Sequence, residues 1–377
     1  MTKILIAGDY APHDRVATQM ENGDSSCLDN VKAIIKSADY SIVNFESPVV
    51  IREAKPIKKT GPNLNCSEKA MECVARAGFD CVTLANNHFR DFGQIGVEDT
   101  IGTCSKFGID YVGGGKTRSE AGQILYKVIN GRTLAVINVC EHEWSIASDN
   151  HGGSNPLEII ATCHAIKQAK EKSDYLLVIV HGGIELYDLP TPRMKETYRF
   201  FIENGADAVI NHHQHCYSGY EIYQDKPIFY GLGNFCFDNS LIKPVELWTK
   251  GYMVEIEFAD KINFQLIPYT QCDETKPAVQ IMENTNEFFS NIGRLNAIIA
   301  DDTQLKAHFE QKASEGATTA KNLLVPYTSL PAKKLQSKGL LPSFVNEGRL
   351  RQLLAHIQCE SHRDVLLHGL KQNHDFN

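Results

Sequence analysis

The chain has 377 residues, a formal net charge of −8 at pH 7 and a pI near 6.0. An acidic chain of this kind lacks the basic face that a duplex nucleic-acid binder presents to phosphates, so no nucleic-acid partner is expected. The eleven cysteines are odd in number and form no Cys-x-x-Cys pair, which argues against a disulfide framework and a zinc ribbon.

Five short apolar runs predict β-strands, and each ends in side chains that can bind a metal. They are residues 3–7, followed by Asp9; 40–43, followed by Asn44 and Glu46; 81–84, followed by Asn87 and His88; 176–180, followed by His181; and 208–210, followed by three histidines within 211–215. Because ligands bind at the carboxyl ends of the strands in an open α/β sheet, these side chains are expected to meet at one edge of a sheet.

Helical periodicity separates these runs. The predicted helices span residues 29–38, 67–77, 94–107, 159–172 and 192–204. Ser67 fits the N-cap of the second helix, Gly78 lies just past its end, and Gly205 closes the last one. The alternation of strand and helix predicts an α/β fold with a largely parallel sheet covered by helices.

The pattern changes after Gly231. Residues 252–258 and 262–268 alternate apolar and polar side chains across a short gap, which predicts an antiparallel pair that completes a second sheet. From about residue 272 helices are expected, over 288–309 and 348–370. We therefore expect a main domain over residues 1–271 and a mainly helical C-terminal extension over 272–377.

The cysteine pattern is typical of a reducing compartment. The N-terminal residues lead straight into an apolar run, without the charged leader and long apolar segment of a signal peptide. No later stretch contains the roughly 18 consecutive apolar residues of a membrane-spanning helix. A soluble cytoplasmic protein with no membrane segment is therefore expected, and its oligomeric state stays open.

The donors at the strand ends are carboxylate, amide and imidazole groups. This mixed oxygen and nitrogen set suits Mn, Fe or Zn, whereas thiolates would select Cu(I) or an iron-sulfur cluster. One or two divalent ions are therefore expected as cofactors. Each donor also has an ordinary structural explanation: Asp9 as a turn residue after Gly8, Asn87 as a helix cap, and the others as loop residues.

Six motifs occur in an order that is more specific than any one of them. They are Gly8-Asp9; Asn44-Phe45-Glu46; Asn86-Asn87-His88 with Asp91 and Gly93; His181-Gly182-Gly183-Ile184-Glu185; His212-His213-Gln214-His215; and residues 226–235, which end in Gly233-Asn234-Phe235. In these motifs the chain resembles the CapA-like proteins of poly-γ-glutamate and capsule biosynthesis, in the metallophosphatase-like superfamily, over roughly residues 1–270. The resemblance implies a four-layer αββα sandwich with a metal centre at the strand ends.

The resemblance also implies the ligands: Glu46 as a carboxylate that bridges two metals, Asp9 and His215 on the first metal, and Asn87, His181 and His213 on the second. One departure matters, because related phosphatases place a histidine two residues after the aspartate and this chain has Ala11 there, with His13 shifted. The first metal site is therefore expected to be weak, completed from elsewhere or empty, and a one-metal protein stays open.

His88 matches the family's catalytic histidine, and Asp91 is placed to orient it if this segment begins a helix. The alternative is a buried histidine that merely satisfies Asp91. Glu185 is expected to support a ligand or accept a proton, or to be a solvated loop carboxylate. Lys59 and Arg193 are candidates for binding an anionic small-molecule or polymer substrate, although isolated basic residues are usually solvated.

Three functions fit these residues. The first is a metal-dependent hydrolase of a phosphoester or an amide, including a γ-glutamyl bond, because both reactions need activated water and a stabilised oxyanion. The second is an isomerase or epimerase, in which the metal acidifies a carbon beside a carboxylate or an amide while His88 or Glu185 shuttles the proton. The third is a noncatalytic protein of polymer assembly that retains the fold.

Overall fold

The computed structural model describes residues 1–59, 61–239, 246–259, 261–323, 329–342 and 346–358. The fold is mixed α/β with two large sheets and one two-stranded sheet. Its strands are β1 (Thr2–Tyr10), β2 (Tyr40–Phe45), β3 (Cys81–Thr83), β4 (Asp110–Val112), β5 (Gly114–Gly115), β6 (Leu125–Ile129), β7 (Arg132–Cys140), β8 (Gly153–Ser154), β9 (Tyr175–His181), β10 (Ala208–His212), β11 (Tyr220–Tyr223), β12 (Lys226–Phe229), β13 (Asn234–Cys236), β14 (Lys250–Phe258), β15 (Asn263–Gln271) and β16 (Val279–Ile281).

The helices lie mostly between the strands. They are α1 (Asp14–Glu21), α2 (Lys32–Ile35), α3 (Glu68–Ala77), α4 (Gly93–Phe107), α5 (Arg118–Ala121), α6 (Ile159–Lys170), α7 (Pro192–Glu203), α8 (Glu246–Thr249), α9 (Asn286–Ala300), α10 (Asp302–Leu323), α11 (Leu330–Ser337) and α12 (Glu347–Gln358), with a short 3-10 helix at Ser26–Leu28. Within the described ranges no helix combines the length and apolar character needed to cross a membrane.

The first sheet has the order β16-β15-β14-β1-β2-β3-β4, and β13 pairs with the end of β1. Strands β1 to β4 are parallel, while β14 runs antiparallel to β1 and β15 antiparallel to β14. The predicted antiparallel pair is confirmed, but the expectation that it completes a second sheet is wrong. Because β1 is buried along nearly its whole length, its backbone amides and carbonyls need hydrogen-bond partners on both edges. β2 pairs with one edge of β1 and β14 with the other.

The second sheet has the order β11-β12-β10-β9-β7-β6, with a parallel centre of β7, β9, β10 and β12. The predicted strands at 176–180 and 208–210 are its central strands β9 and β10, whereas the other three predicted runs form β1, β2 and β3 of the first sheet. The metal-capable side chains therefore come from two sheets and not from one edge of one sheet.

Alternation along β1 shows how the sheets are packed. Ile4 and Ile6 belong to a core that also contains Val136, Ile179 and other side chains of the second sheet. Leu5 and Ala7, which point to the opposite face, belong to a second core built with α3 and α4. One face of the first sheet thus packs on the second sheet and the other face on helices.

The predicted helices at 67–77, 94–107, 159–172 and 192–204 are α3, α4, α6 and α7. Gly78 ends α3 with a left-handed φ of 101°, which glycine adopts without steric cost. The helix predicted at 29–38 forms only the short α2, and the one predicted at 288–309 is divided at Asp301 into α9 and α10. Residues 359–370 of the last predicted helix lie outside the described residues.

The chain divides into two compact units, Met1–Leu305 and Lys306–Asn377. The first unit includes β16 and α9, whose Leu295 and Ile299 belong to the core between the sheets. In the second unit the described residues include α11 and α12. The domain boundary expected at residue 272 stays a prediction.

The substitution Gly8→Ala is expected to destabilise the junction of β1 and β13. A Cβ atom on Gly8 would lie 1.9 Å from the carbonyl oxygen of Gly233, which accepts a hydrogen bond from the Asp9 amide at 3.1 Å. The strands must therefore separate, and we expect the free energy of unfolding in urea to fall by about 1–3 kcal/mol.

The matched control for this substitution is Gly102→Ala in α4, where nothing lies within 4 Å of the added Cβ. Alanine suits a helix interior better than glycine, so this variant should gain about 0.5–1 kcal/mol. A Gly8→Ala protein as stable as the control would contradict the close approach of the two strands.

Candidate metal centre

The predicted metal ligands lie together where the carboxyl ends of strands from both sheets meet. Asp9 lies at the end of β1, Glu46 directly after β2, Asn87 after β3, His181 at the end of β9, and His213 and His215 after β10. All six side chains are buried. Within the described part of the chain, three groups of donors have ligand atoms within 4.8 Å of one another: Glu46 with His181 and His213; Asp9 with Glu46 and His215; and Glu185 with His213 and His215.

Glu46 is the common member of the first two groups. Its side chain is fully buried, and neither carboxylate oxygen has a hydrogen-bond partner among the described residues. Its Oε1 instead lies 3.7 Å from Nε2 of His181 and 3.6 Å from Nε2 of His215. Burial first, and then the charge of Asp9, raise the pKa of Glu46 well above its ordinary value. A cation between these groups would satisfy a carboxylate that the protein alone leaves without a donor.

Two neighbouring side chains approach the same ring nitrogen of His181, and a single N–H proton on that nitrogen cannot point at both of them. Its Nε2 lies 3.0 Å from Oδ1 of Asn87 and 3.1 Å from Nδ1 of His213. Burial, followed by the neighbouring His213, holds the pKa of His181 well below its ordinary value, so its imidazole is neutral. Ligand atoms on one ion with bonds of roughly 2.0–2.2 Å are separated by roughly 3–3.5 Å, and both of these distances fall in that range.

Asp9 is held as a carboxylate on the other side of Glu46. Burial favours its neutral form, but the opposing interactions, of which the contact with His212 is the largest, outweigh burial and hold the pKa of Asp9 below its ordinary value. His212 Nδ1 lies 3.3 Å from Oδ1 of Asp9, and His215 Nδ1 lies 3.6 Å from Oδ2. The first site therefore has Asp9, Glu46 and His215 in place although the expected histidine is replaced by Ala11.

His13 does not restore that missing histidine in the described structure. It lies outside the three groups of donors, and its ring centroid is 5.9 Å from that of Phe237. Its Nε2 is buried and has no hydrogen-bond partner among the described residues. Whether one ion or two bind stays a prediction.

The backbone after β10 turns two histidines toward the same centre. His213 and His215 have positive φ angles of 89° and 54°, in a region that non-glycine residues rarely adopt. Gln214 between them donates to the carbonyl oxygens of Tyr187 and Leu189 at 2.7 and 3.0 Å, which anchors the strained turn. Strain that surrounding contacts maintain is characteristic of functional sites.

The predicted pair of His88 and Asp91 is formed, with Nδ1 of His88 2.6 Å from Oδ2 of Asp91. Lys59 completes this arrangement: its ammonium is buried, pairs with Oδ1 of Asp91 and lies 3.1 Å from Nδ1 of His88. The Leu64 amide also donates to Asp91 at 2.7 Å. Lys59 was predicted as a substrate-binding residue, and the structure places it as the counter-ion of Asp91.

The remaining predicted residues lie at the rim. Glu185 is exposed, and a carboxylate oxygen of it completes a donor group with His213 and His215. Arg193 is exposed and pairs with Glu141, which also accepts a hydrogen bond from the Gly183 amide at 3.0 Å. The part of either residue in substrate turnover stays a prediction.

Two asparagines of the motifs, Asn44 and Asn234, orient the ligands, a role that the resemblance does not assign to them. Asn44 donates to Oδ1 of Asp9 at 2.7 Å and lies 3.4 Å from Nδ1 of His181. Asn234, on β13, lies 2.9 Å from Nδ1 of His215 and donates to the carbonyl oxygen of that residue at 3.1 Å. The available sequence signal was a polar side chain inside a buried strand, as in Ile42-Val43-Asn44-Phe45.

Comparison with known proteins adds independent findings. The family model described as bacterial capsule synthesis protein PGA_cap matches residues 3–239. The chain is 33% identical over 229 residues to capsule biosynthesis protein CapA of Bacillus anthracis, with 59% of this chain and 54% of that protein covered. It is 31% identical over 233 residues to PGA biosynthesis protein CapA of Bacillus subtilis (strain 168), with 61% and 60% covered.

The chain thus spans between half and two thirds of the length of these two relatives. Among solved structures, the 5'-nucleotidase from Candida albicans SC5314 matches with a TM-score of 0.42 and 11% identity over 83% of this chain and 57% of that chain. All the donors named above fall within the matched residues 3–239.

Proposed function

The chain belongs to the family of bacterial capsule synthesis proteins, and from that premise we propose that it is a metal-dependent hydrolase of a phosphoester or an amide, such as a γ-glutamyl bond. The observation that carries the proposal is the Glu46 carboxylate, which is fully buried, has no hydrogen-bond donor among the described residues and is surrounded by imidazoles. Neutral imidazole and carboxylate are the ligand types that Zn, Mn and Fe take in catalytic sites.

The proposal includes the metallophosphatase-like, four-layer form of the fold. The two hydrophobic cores support it, since one combines side chains of both sheets and the other joins the first sheet to its helices. In that arrangement the loops after parallel strands of both sheets face one another, which is where Asp9, Glu46, Asn87, His181, His213 and His215 lie.

In this function Glu46, His181 and His213 would hold one divalent ion, and Asp9 and His215 would hold a second one with Glu46 shared. The chemistry that such an ion supplies is activation of water and polarisation of the oxygen at the bond to be cut. His88 would hold or deliver a proton at Nε2, because its Nδ1 faces the Asp91 carboxylate at 2.6 Å. Lys59 keeps that carboxylate in place by pairing with its other oxygen.

The test begins with metal analysis of the purified chain, followed by turnover of p-nitrophenyl phosphate and of γ-glutamyl-p-nitroanilide with Mn²⁺, Zn²⁺ and Fe²⁺ in turn. We expect His88→Asn to lower kcat by roughly 10²- to 10⁴-fold, which is the contribution of a positioned acid or base. Its content of bound metal should not change, because His88 belongs to none of the donor groups.

His142→Asn is the matched control, since that histidine is exposed and lies 3.9 Å from the surface residue Glu158. It should leave both kcat and the metal content as in the wild type. A protein that binds metal but turns over neither substrate class would support a noncatalytic assembly protein. A protein that binds none of the three ions would remove the basis of the hydrolase.

A further inference from the structure

Glu143 contacts two of the candidate ligands but belongs to none of the three donor groups found among the described residues. Its Oε2 accepts a hydrogen bond from Nδ2 of Asn87 at 3.4 Å, and its Oε1 lies 3.5 Å from Nε2 of His213. Asn87 follows β3 of the first sheet and His213 follows β10 of the second. One carboxylate therefore contacts ligands that come from both sheets, and the six motifs do not include it.

The opposite polar atoms of the same two side chains face His181. Oδ1 of Asn87 lies 3.0 Å from Nε2 of His181, and Nδ1 of His213 lies 3.1 Å from the same nitrogen. Oε1 of Glu46 is 3.7 Å from that nitrogen. Asn87 and His213 thus each turn one polar atom toward His181, and each turns its other polar atom toward the Glu143 carboxylate.

The contact with Glu143 determines which end of the Asn87 amide faces His181. A carboxamide binds a metal through its oxygen, whereas its NH2 group is only a hydrogen-bond donor. An ionised carboxylate accepts hydrogen bonds and donates none, so the NH2 group is favoured beside Glu143. The reversed amide would bring two oxygens together at Glu143 and would turn the NH2 group toward His181.

The same carboxylate acts on His213 mainly through its charge. A distance of 3.5 Å is long for a hydrogen bond, but a negative charge at that distance favours a proton on the nearer ring nitrogen, Nε2. Neutral imidazole carries a proton on one nitrogen, so the lone pair is then on Nδ1, the atom that faces His181. Metal-ligating histidines commonly place their second ring nitrogen against a carboxylate, a carbonyl oxygen or water.

The loop that carries Glu143 is fastened to the segment that carries Asn87. Oγ of the buried Ser145 donates to the carbonyl oxygen of Asn87 at 2.7 Å and accepts from the Arg90 amide at 3.0 Å. The Glu143 side chain itself is 39% exposed. Its position relative to Asn87 is therefore set by these buried backbone contacts, and it contributes little to packing of the core.

We propose that Glu143 is a positioning residue of the metal centre, which holds Oδ1 of Asn87 and Nδ1 of His213 toward His181 so that the three residues can bind one divalent ion. Glu143 acts through the two ligands and does not itself bind the ion. The inference rests on the proposed function in one respect, because it needs a divalent ion at this centre, but it does not depend on turnover.

The experiment measures the heat of Mn²⁺ binding to the metal-free full chain, to Glu143→Ala and to Glu143→Gln. We expect Glu143→Ala to weaken Mn²⁺ binding by roughly 10- to 100-fold, as for other residues that orient metal ligands. Glu143→Gln should lose less, because it keeps one acceptor oxygen without the charge. The midpoint of urea unfolding in EDTA should not change in either variant, and a lower midpoint beside weaker binding would show a merely structural role.

The visible absorption of bound Co²⁺ distinguishes a positioning residue from a ligand, because the spectrum depends on the number and type of ligand atoms. Glu143→Gln saturated with Co²⁺ should keep the band positions and intensities of the wild type, since no ligand is lost. A changed spectrum at saturation would make Glu143 a ligand and would overturn the positioning role.

Glu158→Gln is the matched control, because this carboxylate is 41% exposed and pairs with Arg118 at 2.6 Å. Its affinity for Mn²⁺ should lie within twofold of the wild-type value. Equal Mn²⁺ binding by Glu143→Ala and the wild type would overturn the proposal and leave the metal centre intact. Weaker binding by Glu143→Ala, in a chain whose wild type cleaves neither test substrate, would support the positioning role and contradict the hydrolase. A wild type that binds neither Mn²⁺ nor Co²⁺ would overturn both.

Discussion

Replacing Glu46 by glutamine is expected to make the metal-free protein more stable and to remove its tight binding of divalent ions. Both effects have one cause, which is a fully buried carboxylate without a hydrogen-bond donor among the described residues. Glutamine keeps the size but not the charge, so we expect the free energy of unfolding in EDTA to rise by about 1–3 kcal/mol. Loss of a residue that only hydrogen-bonds to a metal ligand can lower metal affinity by roughly 100-fold. Because Glu46 would itself be a ligand, its replacement should lower the affinity for Mn²⁺ by more than that.

The same variant predicts a pH dependence. The pKa of Glu46 in the folded protein is raised, whereas an unfolded glutamate has a pKa of about 4.3. As the pH rises above that value the unfolded chain releases a proton that the folded chain retains, so rising pH destabilises the wild type relative to Glu46→Gln. The difference in melting temperature should therefore be small at about pH 4 and should grow toward neutral pH.

The control for Glu46 is Glu68→Gln, which removes a surface carboxylate that pairs with Lys106 at 2.6 Å. A surface pair contributes roughly 0–1 kcal/mol, and its loss should leave Mn²⁺ binding unchanged. If Glu46→Gln is less stable than the wild type in EDTA, the Glu46 carboxylate must accept hydrogen bonds in the metal-free protein in solution. Unchanged Mn²⁺ affinity would remove Glu46 from the metal centre.

Replacing Lys59 by methionine is expected to lower the free energy of unfolding by about 3–5 kcal/mol, measured by urea denaturation. The Lys59 and Asp91 side chains are 3% and 0% exposed, so removal of the ammonium leaves a charged carboxylate in a site that water cannot reach. The Asp91→Asn change in the Lys59→Met background should recover part of the loss, because it removes that charge.

Lys106→Met is the matched control, because its partner Glu68 is at the surface and the ammonium side chain is 56% exposed. It should cost no more than about 1 kcal/mol. Equal losses for Lys59→Met and Lys106→Met would show that burial of the first pair has no energetic consequence. If the double variant is no more stable than Lys59→Met, the uncompensated charge of Asp91 is not the cause of the lost stability.

The parts of the fold that local pattern controls were predicted well. Helix α3 begins after Ser67 and ends at Gly78 as expected, although the Ser67 hydroxyl donates to Glu21 and caps no amide of the helix. The left-handed conformation at Gly78 depends on the residue itself, which is why the sequence predicts the end of the helix. The chain could also be assigned to its family from six short motifs, and the family match over residues 3–239 confirms that assignment. The sheet that receives β14 and β15 was predicted wrongly, since strand partners are chosen by packing between distant segments.

The site divides in the same way. The sequence alone determined which side chains end the strands: Asp9, Glu46, His181, His213 and His215 follow apolar runs that form strands wherever they pack. Only the tertiary structure decided that these ends come from two sheets, that Glu46 is enclosed without a hydrogen-bond donor among the described residues, and that Lys59 neutralises Asp91. The physical reason is that strand formation depends on neighbours along the chain, whereas burial and charge pairing depend on segments tens to hundreds of residues away.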